Sequence, residues 1–475
     1  MKKIIVGTVF WMSVVSCSDF LVSEPVEQIS IVDQLSNKKG MLQALNGAYY
    51  QVRFTYNSEA SYIYGDLLSG NIAFTPSSTG IISIPTRVVR IYNFDDQPAS
   101  SNISGIYSSS YQLINNVNLI LQYADALPDA TDQEINEIKA EALALRAFSH
   151  FQLFKYYAQN YTYTSNASHP GIVYNTEPLK VGVDYPSRKT TAETFALLQD
   201  DIDSALSLIQ PDKAIPAGES KNFITPVALK TIAAEIALYR NDWQKAYDYS
   251  IDIINNSGLQ LTAQSDLVNN WGNAESIWEL ANTDENDSPL SLIYTFVKAI
   301  GDETQTWPLY SASNDVYNMY SQDDLRKQLF DTYNISTKSS AGTASLPYHF
   351  TKKHNGTTTN IVYRLSLLYF IRAEAALHLG NTAQALADIN IIRNRAGLNT
   401  LNSITIDVLI EEKRKEFAFE NQYFFDLMRN HKNIVRNNGC ISTHCSPSYP
   451  NDKFVASIPQ AALEVNSNMQ QNPGY

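Results

Sequence analysis

With 475 residues, 44% of them apolar, the chain is long enough to build a sizeable core without metal or disulfide staples. Its formal net charge of −13 speaks against a nucleic-acid partner, because phosphate binding needs a basic face that releases counterions. Tyrosine outnumbers phenylalanine 29 to 19, so many rings carry a hydroxyl that needs water, backbone or a polar ligand, and the aromatics are not all core.

The chain opens with Lys2 and Lys3 ahead of an apolar run from Ile4 to Val15, the order of a secretory signal and too short to span a membrane. The run ends in Val14-Val15-Ser16-Cys17, which resembles a bacterial lipobox, where the thiol is acylated and the chain is cut just ahead of it. Residues 1–16 are therefore expected to be a lipoprotein signal peptide, with Cys17 lipidated and residues 17–475 forming a single domain. The alternative is an ordinary signal peptide with an incidental cysteine. Each buried acyl methylene contributes about 0.8 kcal/mol, and more than one chain makes the attachment stable. No other stretch is apolar over the length a spanning helix needs.

Beyond the signal segment, helical periodicity dominates. Helices are expected at approximately 37–55, 107–126, 134–158, 190–209, 225–257 and 361–396. Within 225–257, Leu229, Ile232, Ala233, Ile236 and Ala237 fall at helical spacing, as do Ala246, Tyr249, Ser250, Ile253 and Ile254 after an Asn241-Asp242 turn. The unit recurs 139 positions later, where Ala234-Glu235, Ala237-Leu238 and Ala246 map onto Ala373-Glu374, Ala376-Leu377 and Ala385. There Leu379-Gly380-Asn381 makes the turn, with glycine suited to the left-handed conformation. Thr190/Thr191 followed by Glu193 reads as a helix cap. The expectation is a mainly α fold, a tetratricopeptide-like helical-repeat scaffold. In it the 134–158 and 190–209 helices would form a third pair, and the helices around 41–52 and 107–123 a fourth. Two stretches, approximately 56–104 and 259–360, read as long irregular ligand-binding loops.

Several segments together support a family resemblance. Cys17-Ser18-Asp19-Phe20-Leu21 with Pro25, Glu141-Ala142-Leu143-Ala144-Leu145-Arg146-Ala147-Phe148, Glu275-Ser276-Ile277-Trp278-Glu279-Leu280 and Asn390 to Leu398 carry it. So do Glu411 to Glu420 leading into Phe424-Phe425-Asp426-Leu427-Met428-Arg429, and the terminal Asn472-Pro473-Gly474-Tyr475. The chain resembles the SusD/RagB family of outer-membrane lipoproteins over nearly its whole length. Asn421 stands where the family pattern has glycine, and Phe424 where it has tryptophan. The resemblance implies a helical scaffold docked on a SusC-like TonB-dependent transporter barrel. It also implies outer-membrane anchoring facing the extracellular side, and loops that hold oligosaccharide or, in some members, peptide. It implies a lid-like opening and closing over the transporter as well. A helical-repeat scaffold that binds only proteins is the competing reading.

No zinc-protease, hydrolase-elbow or Walker motif is present, and no two glycines stand two positions apart, so no dinucleotide loop is encoded. No cofactor or metal is implied, and the chain is read as a binding protein and not an enzyme. Asp66, Asp95, Asp96, Glu275 and Glu279 are the carboxylates that could form a glycosidase pair. His349 and His354, beside Lys352 and Lys353, read as solvated. Asn282 to Ser288 alternates oxygen ligands but lacks the glycine and glutamate of a calcium loop. Glu411 to Glu420 reads as a solvated helix face with an exposed Glu411–Lys415 pair. For Cys440 and Cys445 a disulfide is preferred over free thiols and over zinc. The candidate ligand contacts are Asn71, Arg87, Arg90, Tyr92, Trp271, Trp307, Tyr310 and Tyr317, with Trp307 and Tyr310 as an exposed platform around Pro308.

Overall fold

A computed structural model describes residues 30–180, 182–281, 289–294, 297–298, 305–354 and 359–475. The expected signal peptide, the expected lipidation site Cys17 and Asn282–Ser288 lie outside the described residues.

In chain order the main elements are α1 (Lys38–Tyr56), α2 (Glu59–Ser69), β1 (Ile72–Phe74), α3 (Ser104–Ala124), α4 (Asp132–Tyr157), α5 (Thr191–Leu208), α6 (Pro226–Arg240) and α7 (Trp243–Asn256). The second half contributes β2 (Ser276–Leu280), β3 (Tyr310–Ala312), β4 (Phe330–Ser339), β5 (Gly342–Thr351), β6 (Asn360–Arg364), α8 (Leu365–His378), α9 (Thr382–Arg395), α10 (Ile406–Phe417) and α11 (Tyr423–Arg429). The expected pairings are all present: α1 packs on α3, α4 on α5, α6 on α7 and α8 on α9. Contacts α3–α4, α5–α6 and α7–α8 join the pairs into one stack.

Local chemistry sets the helix ends. Thr131 with Glu134 and Thr190 with Glu193 close reciprocal capping boxes at α4 and α5, which satisfy backbone N–H groups that a helix start leaves unpaired. At the repeat turns, Asn241 (φ 62°) and Gly380 (φ 79°) both take the left-handed conformation. Asp242 and Asn381 then cap the next helices by accepting from Lys245 N–H and Gln384 N–H. In α4, positions from Ala140 to Phe154 are buried on every side, so this helix is central to the stack.

The two stretches read as irregular loops are more ordered than their composition implies. Residues 56–104 contain α2, whose Ser61 to Ser69 are all buried and which packs on α11. Its Ser, Tyr and Gly content looks like a loop, but Ile63, Leu67 and Leu68 belong to the main core. The 259–360 stretch supplies β3, β4 and β5 of a sheet whose β1 comes from 56–104. β4 and β5 pair in register from Phe330↔Thr351 to Ser339↔Gly342, and the sheet order is β1-β3-β5-β4. Residues 361–364, expected as helix, are strand: β6 pairs antiparallel with β2. The strand run is buried and β-branched or aromatic in part, so periodicity alone does not separate it from the helix it feeds.

Candidate functional site

The carboxylates that could have formed a catalytic pair are spoken for. Glu275 is fully buried and accepts from Arg364 at 3.0 Å, from Arg395 at 3.2 Å and from Ser366 Oγ at 2.5 Å. Asp66, also fully buried, accepts from Asn71 Nδ2 at 2.7 Å and from the N–H groups of Phe419 (3.0 Å) and Asn421 (2.8 Å). Burial pushes its carboxyl up to about 6, with those hydrogen bonds pulling the other way. Asp96 accepts from Ser457, Glu279 is paired with Lys221, and Asp95 lies at the surface near Arg90. The carboxylates are held by separate structural partners, so no opposed pair faces a common cleft.

Helix α10 is not a solvated face. Glu412, Lys413 and Glu416 are buried. Glu416 meets Arg364 at 2.9 Å, Arg326 at 3.3 Å and also Arg395. Lys353 and Arg364 both hold Glu420 at 2.8 Å. Burial opposes ionisation of Glu416, but the guanidiniums of Arg395, Arg364 and Arg326 outweigh it and hold its carboxyl well below the usual range. Lys415 pairs with Glu412 and not with Glu411. The network ties the sheet region to α8, α9 and α10, because a buried charge without a partner is costly. The turn after α10 needs left-handed backbone at Phe419 (φ 68°) and Asn421 (φ 57°), and Asp66 accepts from both N–H groups.

His349 and His354 are buried, not solvated. His349 stacks on Tyr317 at 3.4 Å, and His354 hydrogen-bonds the Phe419 carbonyl in the turn after α10 at 2.9 Å. Cys440 and Cys445 are disulfide-bonded, with Cα atoms 6.0 Å apart.

The sequence-derived ligand candidates scatter. Asn71, Tyr92 and Tyr310 are buried in the main body, which corrects the exposed platform expected at Trp307-Pro308-Leu309-Tyr310. Asn71 accepts from Arg414 Nε at 2.8 Å, and Tyr92 packs on Phe74 beneath Arg436. Trp271 makes cation–π contacts with Lys353, whose Nζ is 4.1 Å from the ring centre, and with Arg364 at 4.8 Å. Trp307, half-buried, lies against Tyr333 and Phe350. The residues that bury these rings, such as Arg436 over Tyr92 and Lys353 on Trp271, are distant in the chain, so their sequence neighbourhood does not reveal the burial.

Arg87 and Tyr310 do converge, on one carboxylate. Arg87 Nε donates to Glu59 Oε2 at 2.6 Å and Tyr310 OH to Oε1 at 2.5 Å. Burial raises the Tyr310 hydroxyl well above its ordinary value, and the Glu59 carboxylate adds to it. Glu59, at the start of α2, lines a cleft of about 640 Å³ between the end of α1 and the start of α3. Arg53, Asn57, Ser58 and Asn102 supply further polar groups, and Tyr50 and Phe54 form its rings. Those two rings are 59% and 64% exposed. They stand four residues apart on α1, hence on one face about one 5.4 Å turn apart. The cleft can stack flat apolar faces and hydrogen-bond their edges, and its volume falls in the ordinary small-ligand range. Neither ring is among the candidates that sequence reasoning selects, although the sequence carries a signal for both. Met41, Leu45, Ala48 and Val52 define the buried stripe of α1, and the two rings fall off it.

Among the described residues no group of three or more metal-ligating side chains occurs, and no helix is long and apolar enough to cross a membrane.

Comparison with known proteins gives a consistent result. A family model described as "SusD family" matches residues 268–475, and one described as "Starch-binding associating with outer membrane" matches residues 71–238. A SusD-like protein of Bacteroides ovatus is 25% identical over 400 residues, covering 72% of this chain and 68% of its own. A SusD superfamily structure from Bacteroides thetaiotaomicron superposes with a TM-score of 0.80 at 24% identity, covering 92% of this chain and all of the other. A laminarin-binding SusD-like protein superposes with a TM-score of 0.71 at 20% identity, covering 93% and 100%.

Proposed function

The chain belongs to the SusD/RagB family, and from that premise we propose that it is a non-enzymatic binding protein of the outer membrane that holds oligosaccharide in the Tyr50/Phe54 cleft for import. The observation that carries the reading is the pair of exposed rings over a polar floor. Exposed aromatic rings stack on the apolar faces of sugars, while carboxylate, amide and guanidinium groups fix the hydroxyls. In this reading Arg87 and Tyr310 are positioning residues that hold Glu59 ready to accept from a sugar hydroxyl. The glycan-binding relatives support the ligand class, and the starch-binding, outer-membrane description of one family model supports the location. The lipid anchor at Cys17, a single domain over 17–475 and delivery to a SusC-like transporter barrel belong to the same proposal.

Calorimetric titration with laminarin and starch tests it. Tyr50→Ala and Phe54→Ala should each weaken the better-bound glycan about tenfold, roughly 1.4 kcal/mol, with the melting temperature unchanged because both rings are exposed. Unchanged affinity in both variants would reject the cleft as the binding site.

A further inference from the structure

A second cavity, of about 620 Å³, opens along the flank of α3. Tyr107 and Tyr111 of α3 form one wall, Tyr185 another, and Val465 and Met469 of the C-terminal segment a third. The rings are held in place: Tyr107 and Tyr111 lie 4.7 Å apart, and Tyr111 OH donates to the Val173 carbonyl at 3.0 Å. Tyr185 remains 40% exposed. Ser104, Ser108, Asn175 and Asn466 also line the cavity, so it offers rings beside hydroxyl and amide groups, as the Tyr50/Phe54 cleft does.

The two cavities meet at Gly105, which lines both. Gly105 lies in the first turn of α3, and a Cβ built on it meets nothing within 4 Å. Neither a left-handed backbone nor close packing calls for glycine there, and alanine would favour the helix. Without a side chain, the position adds no bulk between the two cavities.

We infer that one extended oligosaccharide chain crosses Gly105, with one part stacked on Tyr50 and Phe54 and its continuation seated against Tyr185, Tyr107 and Tyr111. This rests on the glycan reading above and deepens it: the ligand is a linear chain longer than a disaccharide, read by two cavities in series. Truncating a ring of the second cavity should therefore act on long ligands alone.

The test is calorimetry on the full mature chain with laminarin and starch oligosaccharides graded from disaccharide to hexasaccharide. The wild type should bind the hexasaccharide of the preferred glycan at least about tenfold tighter than the disaccharide, a gain of roughly 1.4 kcal/mol. Gly105→Trp and Tyr185→Ala should each remove most of that gain, Tyr185→Ala with disaccharide affinity unchanged, and Gly105→Ala should keep it. Equal melting temperatures across the variants establish that the fold is intact. If glycans bind with no dependence on length, or if both variants keep the full gain, the two-cavity inference falls while the glycan reading stands. If neither glycan binds at any length, the glycan reading falls with it.

Discussion

The repeats 226–256 and 365–395 share a backbone plan and differ in what holds them. Both turn at a left-handed residue, Asn241 or Gly380, and both carry small residues, Ala237 and Ala376, at buried contacts. Both bury a glutamate at the same repeat position. In the first, Glu235 accepts from Tyr363 OH at 2.6 Å and from Lys155 at 3.3 Å. In the second, Glu374 is gripped by Arg429 through two 2.8 Å hydrogen bonds. Arg372 and Asp388 form a further buried pair in the second repeat, where the first has Ala233 and Tyr249. The same helix geometry thus tolerates a hydroxyl and an amine in one copy and a guanidinium lattice in the other. The second repeat needs the lattice because α10 and α11, rich in charge, pack beside it.

The difference predicts unequal costs. Glu374→Ala should destabilise by about 3–5 kcal/mol in denaturant unfolding, because it leaves buried Arg429, whose charge cannot be lost, to share Asp426 with Lys413. Glu235→Ala should cost less, about 1–3 kcal/mol, because Lys155 Nζ keeps its cation–π contacts with the rings of Phe151 (5.6 Å) and Phe425 (4.7 Å). Equal losses would mean that the partners do not set the cost.

A smaller effect is expected at the turns. Gly380→Asn should lower the melting temperature and Asn241→Gly raise it, each change worth under about 1 kcal/mol, since glycine alone adopts positive φ without a Cβ penalty. Shifts of the same sign would show that the two turns are not equivalent.

The smallest effect concerns the joint between the repeats, where His378 stacks on Trp243 at 3.8 Å. Burial holds the imidazole below its ordinary value of 6.5. The unfolded chain therefore takes up the proton more readily, and stability is lost as pH falls below 6.5. The ring is only partly covered, so the loss should be under about 1 kcal/mol. His378→Phe should keep the stack and flatten that part of the pH–stability profile; an unaltered profile would assign the dependence elsewhere.

How much is legible in the sequence depends on the range of the interaction. The four helix pairs, the capping box at Thr190 and the turn at Gly380 are local patterns, and they stand where periodicity and cap chemistry place them, while the equivalent box at Thr131 with Glu134 is a local signal the sequence reading passes over. The resemblance marks Asn421 as replacing a glycine, and its φ of 57° gives the reason a glycine would suit. The errors lie where partners are distant in the chain. Glu416 and Arg364 are 52 residues apart, and His354 and Phe419 are 65 apart. A charged helix looks solvated until the chain that covers it is in place. The same holds for the candidate rings: Tyr310 is singled out by its neighbours in sequence, whereas Tyr50 and Phe54 look like ordinary helix residues.

The sequence by itself determined the helical-repeat class, the family resemblance and most helix ends, because these come from periods of three to four residues, caps and repeated motifs. Only the tertiary structure decided which charges are buried, which rings reach solvent and that Gly105 joins two cavities. Those properties depend on what packs across each surface, and that is set by segments far apart in the chain.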